Sequence, residues 1–176
     1  PNLTTYATDG RAFLTQTERH YDVVAVDAYR LPYIPWHLTT VEFFQIVYDH
    51  LTEDGVAVIN VGRSPSDRSL IGALAKTLGE VFPSVFVVDV PESFNSILYA
   101  TRQPATWENL YANYDRLSKQ AGVHPLLLEV LQRAVLLRQE TPPSELVFTD
   151  DKAPIEWITN SMVLSYVFLT DMQEVK

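Results

Sequence analysis

The chain has 176 residues, 47% of them hydrophobic, no cysteine, and 22 acidic against 13 basic side chains for a formal net charge of −9. That length buries about 70% of the unfolded surface, so one domain, alone or with a small appendage, holds a core without disulfide or metal. The missing thiols exclude a disulfide framework, a thiolate zinc centre and a cysteine nucleophile, and the acidity argues against nucleic acid, whose phosphates need a basic surface.

No apolar run approaches the roughly 20 residues that span a bilayer, and no signal peptide is recognisable. The chain starts at Pro1 and enters strand-like sequence almost at once, which leads us to expect a piece of something longer. Residues 3–8 read as a short extended segment closed by Asp9-Gly10, and 11–18 have helical spacing. Residues 23–26, Val-Val-Ala-Val, are apolar on both faces, the pattern of a central strand in a covered parallel sheet, and the run stops at Asp27. An irregular aromatic loop follows over 29–37. Thr39 at an N-cap and Glu42 at N3 form a predicted capping box, opening a helix to about residue 51.

Glu53-Asp54-Gly55 reads as a turn before a second buried strand, 56–61, and 66–78 as a helix. Strands 85–90 and 97–101 are separated too briefly for a parallel crossover, so they must form an antiparallel hairpin. The result is an α/β protein: a mostly parallel sheet with an antiparallel C-terminal hairpin. Helices are predicted over 106–120, 125–138 (with Pro at N1) and 160–169, with a linker at 141–144 and a polar segment at 150–157. We divide the chain at 1–104 and 105–176, the second part being a helical extension packed on the first.

Asp9 and Asp27 end successive predicted strands, the edge at which open α/β sheets bind ligands. Each can instead cap the structure that follows. The loop from Tyr29 through Arg30 to His37 either lines a pocket or plugs the sheet edge. His37 is a general base by residue type or a packing residue at the start of the helix. His20, His50 and His124 lack spaced partners, so no metal site is predicted. Asp150-Asp151 with Glu156 and Trp157 form either a cation-binding cluster or a solvated loop.

Three stretches together resemble the spermidine synthase family of aminopropyltransferases over about residues 3–101. They are Asp9-Gly10-Arg11-Ala12-Phe13-Leu14, then Tyr21-Asp22-Val23-Val24-Ala25-Val26-Asp27-Ala28, then Leu38-Thr39-Thr40-Val41-Glu42-Phe43-Phe44 with the strand after Gly55. Residues 29–44 are most similar to divergent bacterial spermidine-synthase-like proteins, some of them fused to membrane segments. The resemblance implies part of a Rossmann-like class I methyltransferase fold with sheet order 3-2-1-4-5-7-6, strand 7 antiparallel.

The resemblance also implies roles. Asp9 and Gly10 would lie near the adenine of decarboxylated S-adenosylmethionine, of S-adenosylmethionine, or of the product methylthioadenosine. Asp27 would be the catalytic residue beside the reacting amine, the carboxylate that orients or deprotonates it, with Tyr29 and Arg30 binding the acceptor. Arg30 departs from the family, which usually carries a second acidic residue there. The glycine-rich loop after the family's first strand and the ribose-binding acid after its second are not in the chain, and residues past about 102 do not match the family's polyamine-binding end. The expectation is therefore a C-terminal portion of an aminopropyltransferase, inactive alone, cytoplasmic by itself or as a domain of a membrane-attached protein. A non-catalytic scaffold and a methyltransferase for another acceptor are the alternatives. An apolar strand edge without its family neighbour leads us to expect a homodimer, unless residues 3–8 slide into the empty slot.

Overall fold

The computed structural model describes residues 2–30 and 32–174, with side chains described as far as residue 167. Five strands form one sheet in the order β1-β2-β4-β3-β5. They are β1 (Tyr21–Val26), β2 (Leu51–Gly62), β3 (Ser84–Asp89), β4 (Asn95–Thr101) and the two-residue β5 (Arg138–Gln139). β1 and β2 are parallel, joined through helix α2 (Val41–Asp49). β4 runs antiparallel between β2 and β3, and β5 antiparallel on the outside of β3. The order β1-β2-β4-β3 is the 4-5-7-6 end of the sheet implied by the resemblance, so the α/β, Rossmann-like methyltransferase architecture and the antiparallel hairpin stand.

The core lies on one face of the sheet. Along β2, Ala57, Ile59 and Val61 point into it, because alternate strand residues share a face. Phe43, Phe44 and Val47 of α2 cover them, together with α3 (Ser69–Gly79), which buries Ile71, Leu74 and Leu78. The opposite face is partly covered by α4 (Trp107–Ser118) and α5 (Pro125–Leu136), with the Trp107 ring edge-on to Phe86 at 4.9 Å. Neither helix buries a residue fully.

After α5 the chain returns to the first face. Gly72 of α3 permits this crossing, since a Cβ there would lie 3.0 Å from the Pro142 carbonyl oxygen. Phe148 is fully buried; its N–H donates to Thr77 Oγ1 (3.0 Å) and its carbonyl accepts from the Val41 N–H (2.9 Å). Ile155 and Ile158, opening α6 (Ile155–Glu174), join the same core.

Several expectations are corrected. Residues 3–8 form no strand: they lie exposed, with the Tyr6 ring tilted against that of Phe13 of α1 (Gly10–Gln16), centroids 4.8 Å apart. They do not slide beside β1, so β1 is an edge strand and not a central one, with Val23 58% exposed. Residues 53–55 are not a separate turn but an irregularity within β2, where the register jumps between Tyr21↔Leu51 and Val23↔Val56. Gly55 is needed there, because a Cβ would come within 2.8 Å of Leu51 Cβ.

The N-cap of α2 is Thr40, whose Oγ1 accepts from the Phe43 N–H; a 3-10 turn at Trp36–Leu38 uses Thr39 instead. Glu42 does not close a capping box: it accepts from the Asp150 N–H. The last helix starts at Ile155 rather than 160 and runs beyond the described side chains.

This arrangement predicts that Phe148→Ala destabilises the chain by about 3–5 kcal/mol, as does Phe44→Ala, since each empties a filled core position. Leu126→Ala, on the exposed side of α5, should cost under about 0.5 kcal/mol. Urea unfolding midpoints of the three variants check this ordering.

Candidate functional site

β1 and β2 run parallel, so both present their carboxyl ends at one edge of the sheet. Val26 pairs with Ile59, and the next positions, Asp27 and Asn60, lie side by side. Asn60 Nδ2 donates to Asp27 Oδ1 at 3.0 Å. Asp27 is exposed, and the contact leaves its second oxygen without a described protein partner. Beyond Val26 the ladder stops, which would strand the Asn60 carbonyl; the Tyr29 hydroxyl donates to it at 2.9 Å. Burial pushes the Tyr29 hydroxyl pKa up, and the neighbouring Asp27 charge adds to this.

An open groove of about 520 Å³ runs along the outer side of β1, walled by Phe13 and Leu14 of α1 and by Val24 and Leu38. Gly10 and Asp27 both line it, so two of the residues singled out in the sequence meet there. The position of the Gly10 Cβ would be open space.

Asp9 sits just outside. Its Oδ1 caps α1 by accepting from the Ala12 N–H (2.9 Å), and its Oδ2 lies 2.8 Å from His37 Nε2. The Ala12 N–H, then His37, hold the Asp9 carboxyl below its usual range. The cap reading of Asp9 is therefore met in the structure, and His37 is paired with Asp9. Arg11 forks onto both oxygens of Asp150 (2.7 and 2.6 Å) and also donates to the His37 carbonyl. Thr40 Oγ1 donates to Asp150 Oδ1 as well. The acidic cluster at 150–157 is thus not an open cation site at Asp150: its cation is Arg11.

Arg30 does not line the groove. Its backbone makes a two-bond bridge with Tyr33, and its side chain is exposed. The loop mostly plugs: Ile34 is buried and the Tyr33 hydroxyl donates to Asn160 Oδ1 of α6 at 2.7 Å. Leu31 of this loop lies outside the described residues. His50 has both ring nitrogens on backbone carbonyls, those of Ile46 and Thr17. Among the described residues no group of three or more His, Asp or Glu could hold a metal ion, and no helix is long and apolar enough to cross a membrane.

Asn60 was not singled out in the sequence. The available signal was a lone amide near the end of an otherwise apolar strand, in Val-Ala-Val-Ile-Asn-Val.

The family model for the spermine/spermidine synthase domain matches residues 1–106. The chain belongs to the spermine/spermidine synthase family. A probable polyamine aminopropyl transferase of Bifidobacterium longum (strain NCC 2705) is 33% identical over 169 residues, covering 88% of this chain. This chain spans only 37% of that relative's length. Among solved structures, spermidine synthase from Thermotoga maritima is similar at a TM-score of 0.50 with 18% identity, over 74% of this chain and 47% of that one; this likeness bears on the fold. A spermidine synthase in complex with the transition-state analogue AdoDATO aligns at a TM-score of 0.49 and 21% identity, over 69% of this chain and 42% of that one.

Acid should weaken this family member through three carboxylates. Arg11 holds the Asp150 carboxyl below its usual range, as the Ala12 N–H and His37 do for Asp9. At Asp89 burial pushes upward, but the Arg68 fork and Ser96 hydroxyl outweigh it and the net direction is down. A folded-state pKa below the unfolded value gives stability that is present above the unfolded value and lost as pH falls through the folded one. With unfolded values near 3.9, the melting temperature should hold steady down to about pH 5 and fall below about pH 4. Asp150→Asn should lower the melting temperature at pH 6 and flatten the acid limb; thermal denaturation from pH 7 to pH 2 checks both.

Proposed function

We propose that the protein containing this chain transfers an aminopropyl group from decarboxylated S-adenosylmethionine to a small amine, and that this chain supplies the acceptor side of the site. The observation that carries the reading is the Asp27 carboxylate, exposed at the carboxyl end of β1 in the groove that Gly10 also lines. Membership of the family and the Bifidobacterium relative support the reaction class.

The acceptor amine must be neutral to attack. Its nitrogen lone pair forms a C–N bond to the methylene beside the sulfonium. The C–S bond breaks, its electron pair neutralises the sulfur, and methylthioadenosine leaves. The proton shed by the amine passes to Asp27 or, through it, to water. A carboxylate there also stabilises positive charge on the acceptor nitrogen. In this reading Asp9 and Gly10 bound the adenine end, Tyr29 is a support on the acceptor side because its hydroxyl is spent on Asn60, and Arg30 lies outside the groove. The nucleoside also needs contacts from outside this chain, so the chain by itself is inactive. Small-molecule amine and adenosyl nucleoside are the proposed partners, in a cytoplasmic protein or in the cytoplasmic part of a membrane-attached one.

In the longer protein, Asp27→Asn should reduce aminopropyl transfer at least about 1000-fold while leaving the melting temperature within a few degrees, because it removes charge and keeps shape. Arg30→Asp should leave the use of diamines unchanged, because Arg30 does not line the groove; improved diamine use would place Arg30 at the acceptor. Radiolabelled transfer to a panel of amines measures both. Near-parent turnover in Asp27→Asn would show that Asp27 is only a cap; no transfer by the unsubstituted protein would leave a non-catalytic scaffold, and methyl transfer in place of aminopropyl transfer would favour a methyltransferase.

The same proposal includes a homodimer. Among the described residues no strand lies on the outer edge of β1, and an apolar edge with Val23 exposed invites pairing. Light scattering of this chain at high concentration should give twice the monomer mass, and Val23→Lys should return it to monomer. A monomer at all concentrations overturns the dimer.

A further inference from the structure

We infer that Asn60 is a positioning residue for the reaction at Asp27, holding one carboxylate oxygen so that the other is presented to the acceptor nitrogen. The inference rests on the aminopropyl-transfer reading and adds a residue to it. Three observations converge. Asn60 Nδ2 donates to Asp27 Oδ1 at 3.0 Å. The Asn60 backbone is pinned on both sides, by its antiparallel pairing with Ile97 and by the Tyr29 hydroxyl on its carbonyl. Asn60 Oδ1 is buried with no hydrogen-bond partner among the described residues.

The third observation decides what the amide is for. A side-chain amide can turn over, exchanging its oxygen and nitrogen. In the alternative orientation the Asn60 oxygen would face the Asp27 carboxylate, acceptor against acceptor. The observed orientation avoids this and leaves Oδ1 without a donor, which is costly in a buried setting. A bond from an amide to a charged carboxylate is the stronger kind and offsets that cost. The Asn60 side chain is therefore committed to Asp27, at the expense of its own oxygen. Holding Oδ1 fixes the rotation of a carboxylate that is otherwise exposed to solvent. Geometry at this level matters to transfer, because a misplacement of about 1 Å can cost about 100-fold in rate.

The test is a double-mutant cycle in the longer protein, with a magnetic-resonance readout on this chain. Asn60→Leu should lower kcat about 10- to 100-fold while KM for the nucleoside stays within about twofold, and Asn60→Gln, which keeps an N–H donor on a longer arm, should recover part of the loss. In the Asp27→Asn background, Asn60→Leu should have no further effect, since there is no carboxylate left to aim. If Asn60→Leu fails to fold, Asn60→Ser enters the same cycle. Equal losses in both backgrounds would overturn the inference, because Asn60 would then act independently of Asp27. Turnover retained in Asp27→Asn would overturn the role given to Asp27, and no transfer by the unsubstituted protein would overturn the transfer reading instead. On this chain, without substrate, the Asn60 side-chain amide protons should be protected from exchange with solvent and lose that protection in Asp27→Ala; unprotected amide protons in the unsubstituted chain would sink the coupling by themselves.

Discussion

The parallel register of β1 against β2 governs the candidate site. Pairing Val26 with Ile59 brings Asp27 beside Asn60 where the ladder ends. The end of a ladder leaves a carbonyl to be satisfied, and burial makes an unsatisfied one costly. Here the Tyr29 hydroxyl meets that demand from two residues beyond Asp27. One requirement of backbone chemistry thus draws three polar side chains to the same corner of an otherwise apolar sheet. A shift of one residue in this register would move Asn60 to the other face and leave Asp27 without its donor.

The segment ahead of β1 is held by a different means. Asp9 and Gly10 belong to no ladder, and the short helix they open is fixed through side chains. Arg11 reaches Asp150, which also takes the Thr40 hydroxyl, while the Asp150 N–H returns to Glu42. Phe148 anchors the same stretch in the core from Thr77 and Val41. Residues 148–150 therefore connect the groove's near wall to the start of α2. The region past the family match is not a mere appendage here: its return across α3 completes the core and positions Arg11. The α4–α5 pair is different, resting on the far face without a fully buried residue.

The groove beside β1 and the open edge of that strand are two aspects of one fact. No described strand occupies the space outside β1, so apolar side chains that a neighbour would cover instead line a cavity ending at Asp27. Function and assembly are thereby linked in the proposals above, since whatever covers this edge also shapes the space over the carboxylate.

The sequence by itself determined the class of the fold, because periodicity and connection length are local. Apolar runs bounded by Asp27 and by Gly55 marked the strands, and the brevity of residues 91–96 dictated an antiparallel hairpin whatever the rest of the chain did. It also marked Asp27, since a carboxylate directly after an apolar strand is visible without coordinates. Only the tertiary structure decided the partners. Glu53-Asp54-Gly55 has the composition of a turn, but cross-strand pairing with β1 absorbs it into β2. Thr39 and Thr40 are equivalent as caps until the 3-10 turn claims the first. Residues 3–8 have strand chemistry and no strand, because a strand exists only where a neighbour accepts its hydrogen bonds. Asn60 is one amide among apolar residues until the register sets it against Asp27, and Asp150 is an ordinary surface acid until the chain's return brings it to Arg11. These are contacts between positions 33 to 139 residues apart, and residue types alone do not say which of many such pairs the packing of the core will bring together.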